Sequence, residues 1–256
     1  MNYTFDGKVA IVTGGHSGIG AGIAESLAAR NAYVFLAARR ITELEREAAK
    51  INSGGKTLAY PFEVDLTETD GSGKLVAYTM RTKNRVDIII NAAGVHPLDS
   101  DPAEKIGAAY KLNVTAKRNL NSSCIDRMLI QGGGRIINVS SMAAEREFPN
   151  QGNYHKQMKE IVEHSSKLDK KYGSQGIVVR AIGPGLVNTP LARRDFRDLA
   201  IERVGKDLDG TELENGIDAF WNTQVLQPAE IAEWVCDIIQ NPEKYKCFET
   251  KVKAVL

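Results

Sequence analysis

The stretch from Val9 to Gly20, VAIVTGGHSGIG, constrains the fold more than any other, because an apolar run ends abruptly in a glycine-rich turn. Such a run is typical of a buried parallel strand. The helix-forming residues from Ala21 to Arg30 predict a helix directly after the turn. The first N–H groups of a helix have no partners within it, and the helix dipole adds positive character there. The stretch therefore predicts a strand, turn and helix that suit a pyrophosphate, although an ordinary turn that needs positive φ is the alternative.

Length and composition are those of an ordinary globular protein. With 256 residues, 43% of them hydrophobic, the chain can bury one sizeable core, and we expect a single domain over residues 1–256. The formal net charge of +1 gives no reason to expect nucleic acid or an anionic membrane as a partner. We find no signal pattern and no apolar run that could span a bilayer, so we predict a cytoplasmic protein. Three scattered cysteines are typical of reduced thiols, and four histidines without ligand spacing predict no metal site.

Further motifs follow the glycine turn in a fixed order. They are an asparagine-glycine turn, a mid-helix asparagine, a serine thirteen residues before a tyrosine, and a proline-glycine turn, found at Asn91 to Gly94, Asn113, Ser141 with Tyr154, and Pro184-Gly185. Together with the spacing T-G-x-x-x-G-I-G, they resemble the short-chain dehydrogenase/reductase family over nearly the whole chain. Each motif alone is weak, but their order and spacing are specific. The resemblance implies a single-domain Rossmann-like α/β fold, a doubly wound parallel sheet of about seven strands flanked by helices.

The remaining elements can be predicted from apolar runs and turn residues. Further strands are expected at 33–37, 58–66, 86–90, 135–139, 177–181 and 251–256. Helices are expected at 41–50, at 106–128 as one helix or two, and at 229–240. The charged segment between them, residues 190–227, matches the substrate lid of the family.

The end of the second strand bears on the choice of cofactor. Dinucleotide-binding folds often carry an acidic residue there that binds the adenosine ribose, but this chain has Ala38, followed by Arg39 and Arg40. A guanidinium can bind a 2′-phosphate with two hydrogen bonds, so we predict NADP. The alternative is that both arginines simply begin a solvated helix. The resemblance implies a cofactor site made of Gly14, Ser17, Gly18, Ile19, Gly20, Arg39, Arg40, Asp65, Asn91, Gly94, Tyr154, Pro184, Gly185 and Thr189.

The resemblance also implies a catalytic group of Ser141, Tyr154 and Asn113. Interconversion of a ketone and an alcohol needs a group that exchanges a proton with the substrate oxygen while hydride passes to or from a nicotinamide. Tyr154 would fill this role, Ser141 would orient the carbonyl, and Asn113 would help to hold a relay water. A phenol can serve only if its pKa is lowered from about 10. A structural tyrosine and serines at a strand end are the alternative.

One position departs from the family pattern. The family carries a lysine four residues after the tyrosine, on the same helix face, where it lowers the pKa of the phenol and binds the nicotinamide ribose. This chain has Met158 there. Lys159 and Lys156 lie roughly 140° and 160° around the helix from Tyr154. Three hypotheses follow: Lys159 swings in, another residue has taken over, or the site is weak or silent.

Two functions are therefore open at this point. The first is an NADP-dependent oxidoreductase that interconverts a ketone and a secondary alcohol, with a small-molecule carbonyl or alcohol as substrate. The second is a catalytically impaired nucleotide-binding protein that acts as a sensor or an assembly subunit. The resemblance also implies a homodimer or homotetramer, although the chain ends at Leu256 without the V-D-G-G tail that is common in the family.

Overall fold

Apolar, β-branched runs form the centre of the molecule. In the computed structural model, which describes residues 3–205 and 210–253, seven parallel strands form one sheet in the order β3-β2-β1-β4-β5-β6-β7. Every residue of β1 and β4 is buried, as expected for strands covered on both faces. The strands are β1 (Val9–Thr13), β2 (Tyr33–Ala38), β3 (Ala59–Glu63), β4 (Ile88–Asn91), β5 (Gly134–Val139), β6 (Ile177–Pro184) and β7 (Phe248–Lys251).

Helices cover both faces of the sheet. Along β1, Ala10 and Val12 belong to one core, whereas Val9 and Ile11 belong to the other, as the alternation of side chains along a strand requires. No helix in the described part of the chain is long and apolar enough to cross a membrane. The helices are α1 (Gly18–Ala29), α2 (Ile41–Asn52), α3 (Gly71–Lys83), α4 (Ala103–Tyr110), α5 (Lys117–Ile130), α6 (Gly152–Tyr172), α7 (Pro190–Asp195), α8 (Arg197–Val204), α9 (Gly210–Thr223) and α10 (Pro228–Gln240).

The strand order reverses between β1 and β4, and this places the two turns of the glycine and asparagine motifs side by side. Thr13, the last residue of β1, lies opposite Asn91, the last residue of β4. A Cβ atom on Gly14 would lie 3.1 Å from the backbone of Ala93. Ligands of doubly wound sheets bind at such a reversal, at the carboxyl ends of the strands.

The predicted fold class is confirmed, and several element boundaries need correction. Strand β3 ends at Glu63, so Asp65 lies in the turn beyond it. The predicted helix at 106–128 is α4 and α5, joined by a π-helical segment at Lys111–Ala116 that contains Asn113. The strand predicted at 251–256 is wrong: β7 spans Phe248–Lys251, and residues 254–256 lie outside the described residues. The segment 190–227, predicted without strands, holds α7, α8 and α9.

Buried asparagines connect the centre of the sheet to the helices beside it. The side-chain amide of Asn91 donates to the Oδ1 atoms of Asn121 and Asn138, at 2.7 and 2.8 Å. Asn138 in turn donates to the hydroxyl of Ser165 at 2.9 Å, and all four residues are at most 1% exposed. This network, which we call the asparagine cluster, joins β4, β5, α5 and α6 through side chains alone. The asparagine cluster explains why a polar residue, Ser165, lies on the buried face of α6.

Candidate active site

A cavity of about 1040 Å³ lies over the carboxyl ends of the strands around the reversal. It is bounded by the glycine turn, the ends of β2 and β4, the turn after β3, and α7. Of the predicted cofactor residues, Gly14, Ser17, Gly18, Ile19, Gly20, Arg39, Arg40, Asp65, Gly94 and Thr189 line it. Asn91 lies beneath the cavity in the asparagine cluster, and Pro184 and Gly185 lie at the end of β6, outside the lining. Tyr154, also predicted as a cofactor residue, lies outside the lining as well, against His96.

The glycine turn is shaped for the close approach of a ligand. Gly14 has a φ of 67°, which side chains disfavour, and a Cβ on Gly20 would lie 2.4 Å from the carbonyl oxygen of Gly14. Ser17 precedes α1 in an extended conformation, and its hydroxyl caps no N–H group of the helix. The first turn of α1 carries no acidic residue. The N–H groups and the Ser17 hydroxyl at this end are therefore suited to an anion.

Basic side chains surround the far end of the cavity. Arg39 is 71% exposed and lies 4.0 Å from the carboxylate of Asp65. Arg40 contacts the ring of His16 and lies 3.0 Å from Glu43. Burial and the neighbouring Arg40 lower the pKa of His16, which favours a neutral imidazole. His16 was not assigned from the sequence, where its place inside the glycine turn was the available signal.

Tyr154, at the start of α6, lies within reach of the hydroxyl of Ser141, which follows the end of β5. The Ser141 hydroxyl accepts a hydrogen bond from the N–H of Ala143 at 3.1 Å. Burial raises the pKa of the Tyr154 phenol, Asp195 raises it further, and the hydroxyl of Ser141 opposes the change. The phenol by itself is therefore a weaker acid than a free tyrosine, which is the reverse of what proton transfer at neutral pH needs.

Both polar atoms of the Asn113 side-chain amide form hydrogen bonds. Its Nδ2 atom donates to the carbonyl oxygen of Val95 at 2.9 Å and to Oε1 of Gln157 at 2.8 Å. Its Oδ1 atom accepts from the N–H of Val95 at 2.9 Å. Asn113 is buried in the π-helical segment, which is a common setting for residues near functional sites. The Asn113 side chain thus connects the loop after β4 to Gln157 of α6, which is the residue before Met158.

His96 was not assigned from the sequence, yet it lies directly against Tyr154. The two rings meet edge to face with 4.7 Å between their centroids. The His96 side chain is 6% exposed, and its Nδ1 atom lies 3.8 Å from the carboxylate of Asp195. Its buried Nε2 atom has no hydrogen-bond partner within the described residues. His96 also lines the cavity. The only signal in the sequence was its position two residues after Gly94.

The helix face of Tyr154 carries no positive charge. Met158 is 2% exposed, and its carbonyl oxygen accepts a hydrogen bond from the Ser140 hydroxyl at 3.0 Å. Lys156 and Lys159 are both exposed. The hypothesis that Lys159 turns inward finds no support in this arrangement.

Comparisons with known proteins agree with the fold. A family model described as short chain dehydrogenase matches residues 8–200. An uncharacterized oxidoreductase of Staphylococcus saprophyticus is 27% identical over 97% of this chain and 97% of its own length. An NAD-dependent glycerol dehydrogenase of Listeria innocua is 30% identical over 81% of this chain and 80% of its own. The L-sorbose reductase of Gluconobacter frateurii, solved with NADPH and L-sorbose, superimposes with a TM-score of 0.85 at 25% identity, covering 100% of this chain and 99% of that one.

Proposed function

Since the chain belongs to the short-chain dehydrogenase family and is an oxidoreductase of that type, we propose that it uses NADP to interconvert a ketone and a secondary alcohol. The observation that carries the proposal is Tyr154, which lies within reach of Ser141 and against the ring of His96, a residue that lines the cavity beginning at the glycine turn. The substrate would be a small carbonyl compound or alcohol bound near His96.

The residues of the cavity fit a dinucleotide. The pyrophosphate would lie against the N–H groups at the start of α1, where any side chain on Gly20 would displace the turn. The hydroxyl of Ser17 would donate a further hydrogen bond, because no helix N–H group occupies it. Thr189, whose side chain would contact a Cβ on Gly18 at 3.1 Å, would close the cavity from α7.

NADP rather than NAD is proposed because Arg39 and Arg40 stand at the ribose end without an acidic residue on β2. Arg39 is only loosely engaged by Asp65 at 4.0 Å, so its guanidinium can turn to a 2′-phosphate. The glycerol dehydrogenase relative is NAD-dependent by name, whereas the sorbose reductase was solved with NADPH. The choice therefore depends on these two arginines and not on the relatives.

In the proposed reaction, the nicotinamide supplies or accepts the hydride. Tyr154 donates its phenolic proton to the substrate oxygen in reduction and takes it back in oxidation. The Ser141 hydroxyl holds that oxygen by a hydrogen bond, while the Nε2 atom of His96 contacts a second polar group of the substrate. Residues 190–227, including α7 with Asp195, are proposed to form the lid over this site.

The proposal is tested by fluorescence titration with NADPH and NADH, followed by turnover on a panel of ketones. Tyr154→Phe should lower kcat by about 10²- to 10⁴-fold, because general acid catalysis contributes that much, while NADPH still binds. Unchanged turnover in this variant would remove Tyr154 from the mechanism. NADPH binding without turnover by the wild type would favour the alternative, a nucleotide-binding protein without catalysis.

The choice of cofactor has its own matched test. Arg39→Ser should weaken NADPH binding by about 10- to 100-fold, since a charge-assisted hydrogen bond contributes about 1.5–3 kcal/mol, and leave NADH binding unchanged. Arg46→Ser, an exposed arginine of α2 outside the cavity lining, serves as the control. Equal weakening by both substitutions would contradict an assignment of the 2′-phosphate to Arg39.

A further inference from the structure

A carboxylate from the loop after β4 caps the helix that carries Tyr154. Asp99 accepts hydrogen bonds from the N–H groups of Gly152 at 2.7 Å and Asn153 at 2.8 Å, and from the side-chain amide of Asn153 at 2.8 Å. Both N–H groups belong to the first turn of α6, where a helix offers them no partner. Gln151, the residue directly before α6, forms no side-chain cap. The cap of α6 therefore comes from another part of the chain.

A second set of hydrogen bonds joins the same loop to the turn before α6. The N–H of Asp99 donates to the carbonyl oxygen of Asn150 at 3.0 Å. The N–H of Ser100 donates to Oδ1 of Asn150 at 3.0 Å, and the Asn150 amide donates to the Ser100 hydroxyl at 3.1 Å. Asn150 has a φ of 58°, a conformation that asparagine adopts more readily than most residues. The end of the loop and the start of α6 are therefore held together by both backbone and side chains.

The contact between His96 and Tyr154 lies between two such connections. On one side, Asp99 holds the first turn of α6, directly before Tyr154. On the other side, Asn113 joins the start of the same loop to Gln157, three residues after Tyr154. His96 lies on the loop between these two points and packs its ring against that of Tyr154. The relative position of the two rings thus depends on both connections.

The helix itself does not need the carboxylate of Asp99 as much as the site does. Asp99 is exposed, so water can bind the N–H groups of α6 when the carboxylate is removed. Water cannot connect α6 to the loop. Loss of Asp99 should therefore leave α6 folded and release the loop with His96 from the first turn of α6.

We propose that Asp99 is a positioning residue of this active site, whose carboxylate fixes the first turn of α6 so that the Tyr154 phenol is held against His96. The assignment rests on the proposed oxidoreductase function. Tyr154 can exchange a proton only within hydrogen-bond reach of the substrate oxygen. A displacement of about 1 Å in a catalytic group can cost about 10²-fold in rate.

The first test does not depend on turnover. In protein labelled at the histidine and tyrosine rings, NMR detects the nuclear Overhauser effect between His96 and Tyr154, which is assigned by its loss in His96→Leu and in Tyr154→Leu. We expect this signal to be lost or strongly weakened in Asp99→Ala. Glu104→Ala is the control, because Glu104 is an exposed carboxylate close by in sequence that forms no hydrogen bond or ion pair in the described part of the chain. A signal of unchanged strength in Asp99→Ala overturns the proposal.

The second test separates chemistry from cofactor binding. Asp99→Ala should lower kcat by about 10- to 100-fold, because the phenol is no longer held in place. The dissociation constant of NADPH should stay within about twofold of the wild type, since Asp99 does not line the cavity. Asp99→Asn keeps one oxygen that can cap a helix and should recover at least about threefold in kcat. Glu104→Ala should keep the wild-type kcat, and every variant is assayed well below its unfolding midpoint.

Two results of this series would contradict the proposal. If Asp99→Ala lowers the unfolding midpoint but keeps kcat within about twofold of the wild type, Asp99 only stabilises the fold. If kcat and the affinity for NADPH fall together, the variant has loosened the whole site. Absence of turnover in the wild type would refute the proposed function instead, and the NMR contact would still decide whether Asp99 positions Tyr154.

Discussion

The buried side chain of Lys117 has a cost in stability that can be measured. The pKa of Lys117 falls from 10.5 to about 7 on folding. Between these two values the unfolded chain holds a proton that the folded chain has released, so raising the pH stabilises the fold. Each pKa unit is worth about 1.4 kcal/mol, which gives about 5 kcal/mol for the whole change. Below pH 7, both states are protonated and the folded state carries the full penalty of the buried charge.

Lys117→Met removes this penalty and leaves a side chain of similar volume. At pH 6 we expect the variant to be more stable than the wild type by up to about 5 kcal/mol, and we expect the difference to shrink by about 1.4 kcal/mol per pH unit between pH 7 and 10. Urea unfolding of the wild type and of Lys117→Met at intervals from pH 6 to 10 measures this difference in stability. The contributions of all other titrating groups cancel, because they are the same in both proteins. A difference that stays constant across this range would show that the buried ammonium does not titrate as the structure implies.

Two further predictions concern the glycine turn and the base of the sheet. Gly20→Ala should weaken NADPH binding by at least about tenfold, because the new Cβ atom would lie 2.4 Å from the carbonyl oxygen of Gly14. Gly54→Ala is the control and should leave NADPH binding unchanged, because the space around Gly54 is open. Equal titration curves for the two variants would refute the steric argument. Asp87→Asn should lower the free energy of unfolding by about 3 kcal/mol. The reason is that the buried carboxylate of Asp87 accepts hydrogen bonds from Arg85 at 2.7 Å and from the N–H of Val9 at 2.9 Å. A urea unfolding midpoint within error of the wild type would contradict this prediction.

The order of the elements could be predicted because the strands under the site are apolar. Runs such as VAIVT and VDIII have one explanation in an α/β chain, a strand covered on both faces. The last strand could not be predicted in this way. All four residues of β7 are half-buried, so FETK has no apolar run, and its position is set by backbone pairing with β6. The last strand was instead predicted on the segment 251–256, because the residues VKAVL that follow β7 are more apolar.

The candidate site was predictable where a motif fixes the backbone, and not where packing selects a side chain. The glycine turn and the Ser141–Tyr154 spacing depend on local geometry, which one sequence carries. His96 depends on a neighbour far along the chain, namely Asp195.

The asparagine cluster has a consequence for how this chain can change over generations. Asn138 accepts from Asn91 and Asn121 and donates to Ser165, so replacing it alone by an apolar residue removes three buried hydrogen bonds, each worth about 0.5–1.5 kcal/mol. Replacing several members together with apolar residues of matching shape can be nearly neutral. A single substitution of Asn138 therefore lowers the stability of the fold until a second substitution compensates for it. We therefore expect the four positions of the asparagine cluster to change together during evolution, because a substitution at one position is tolerated best when the others have also changed.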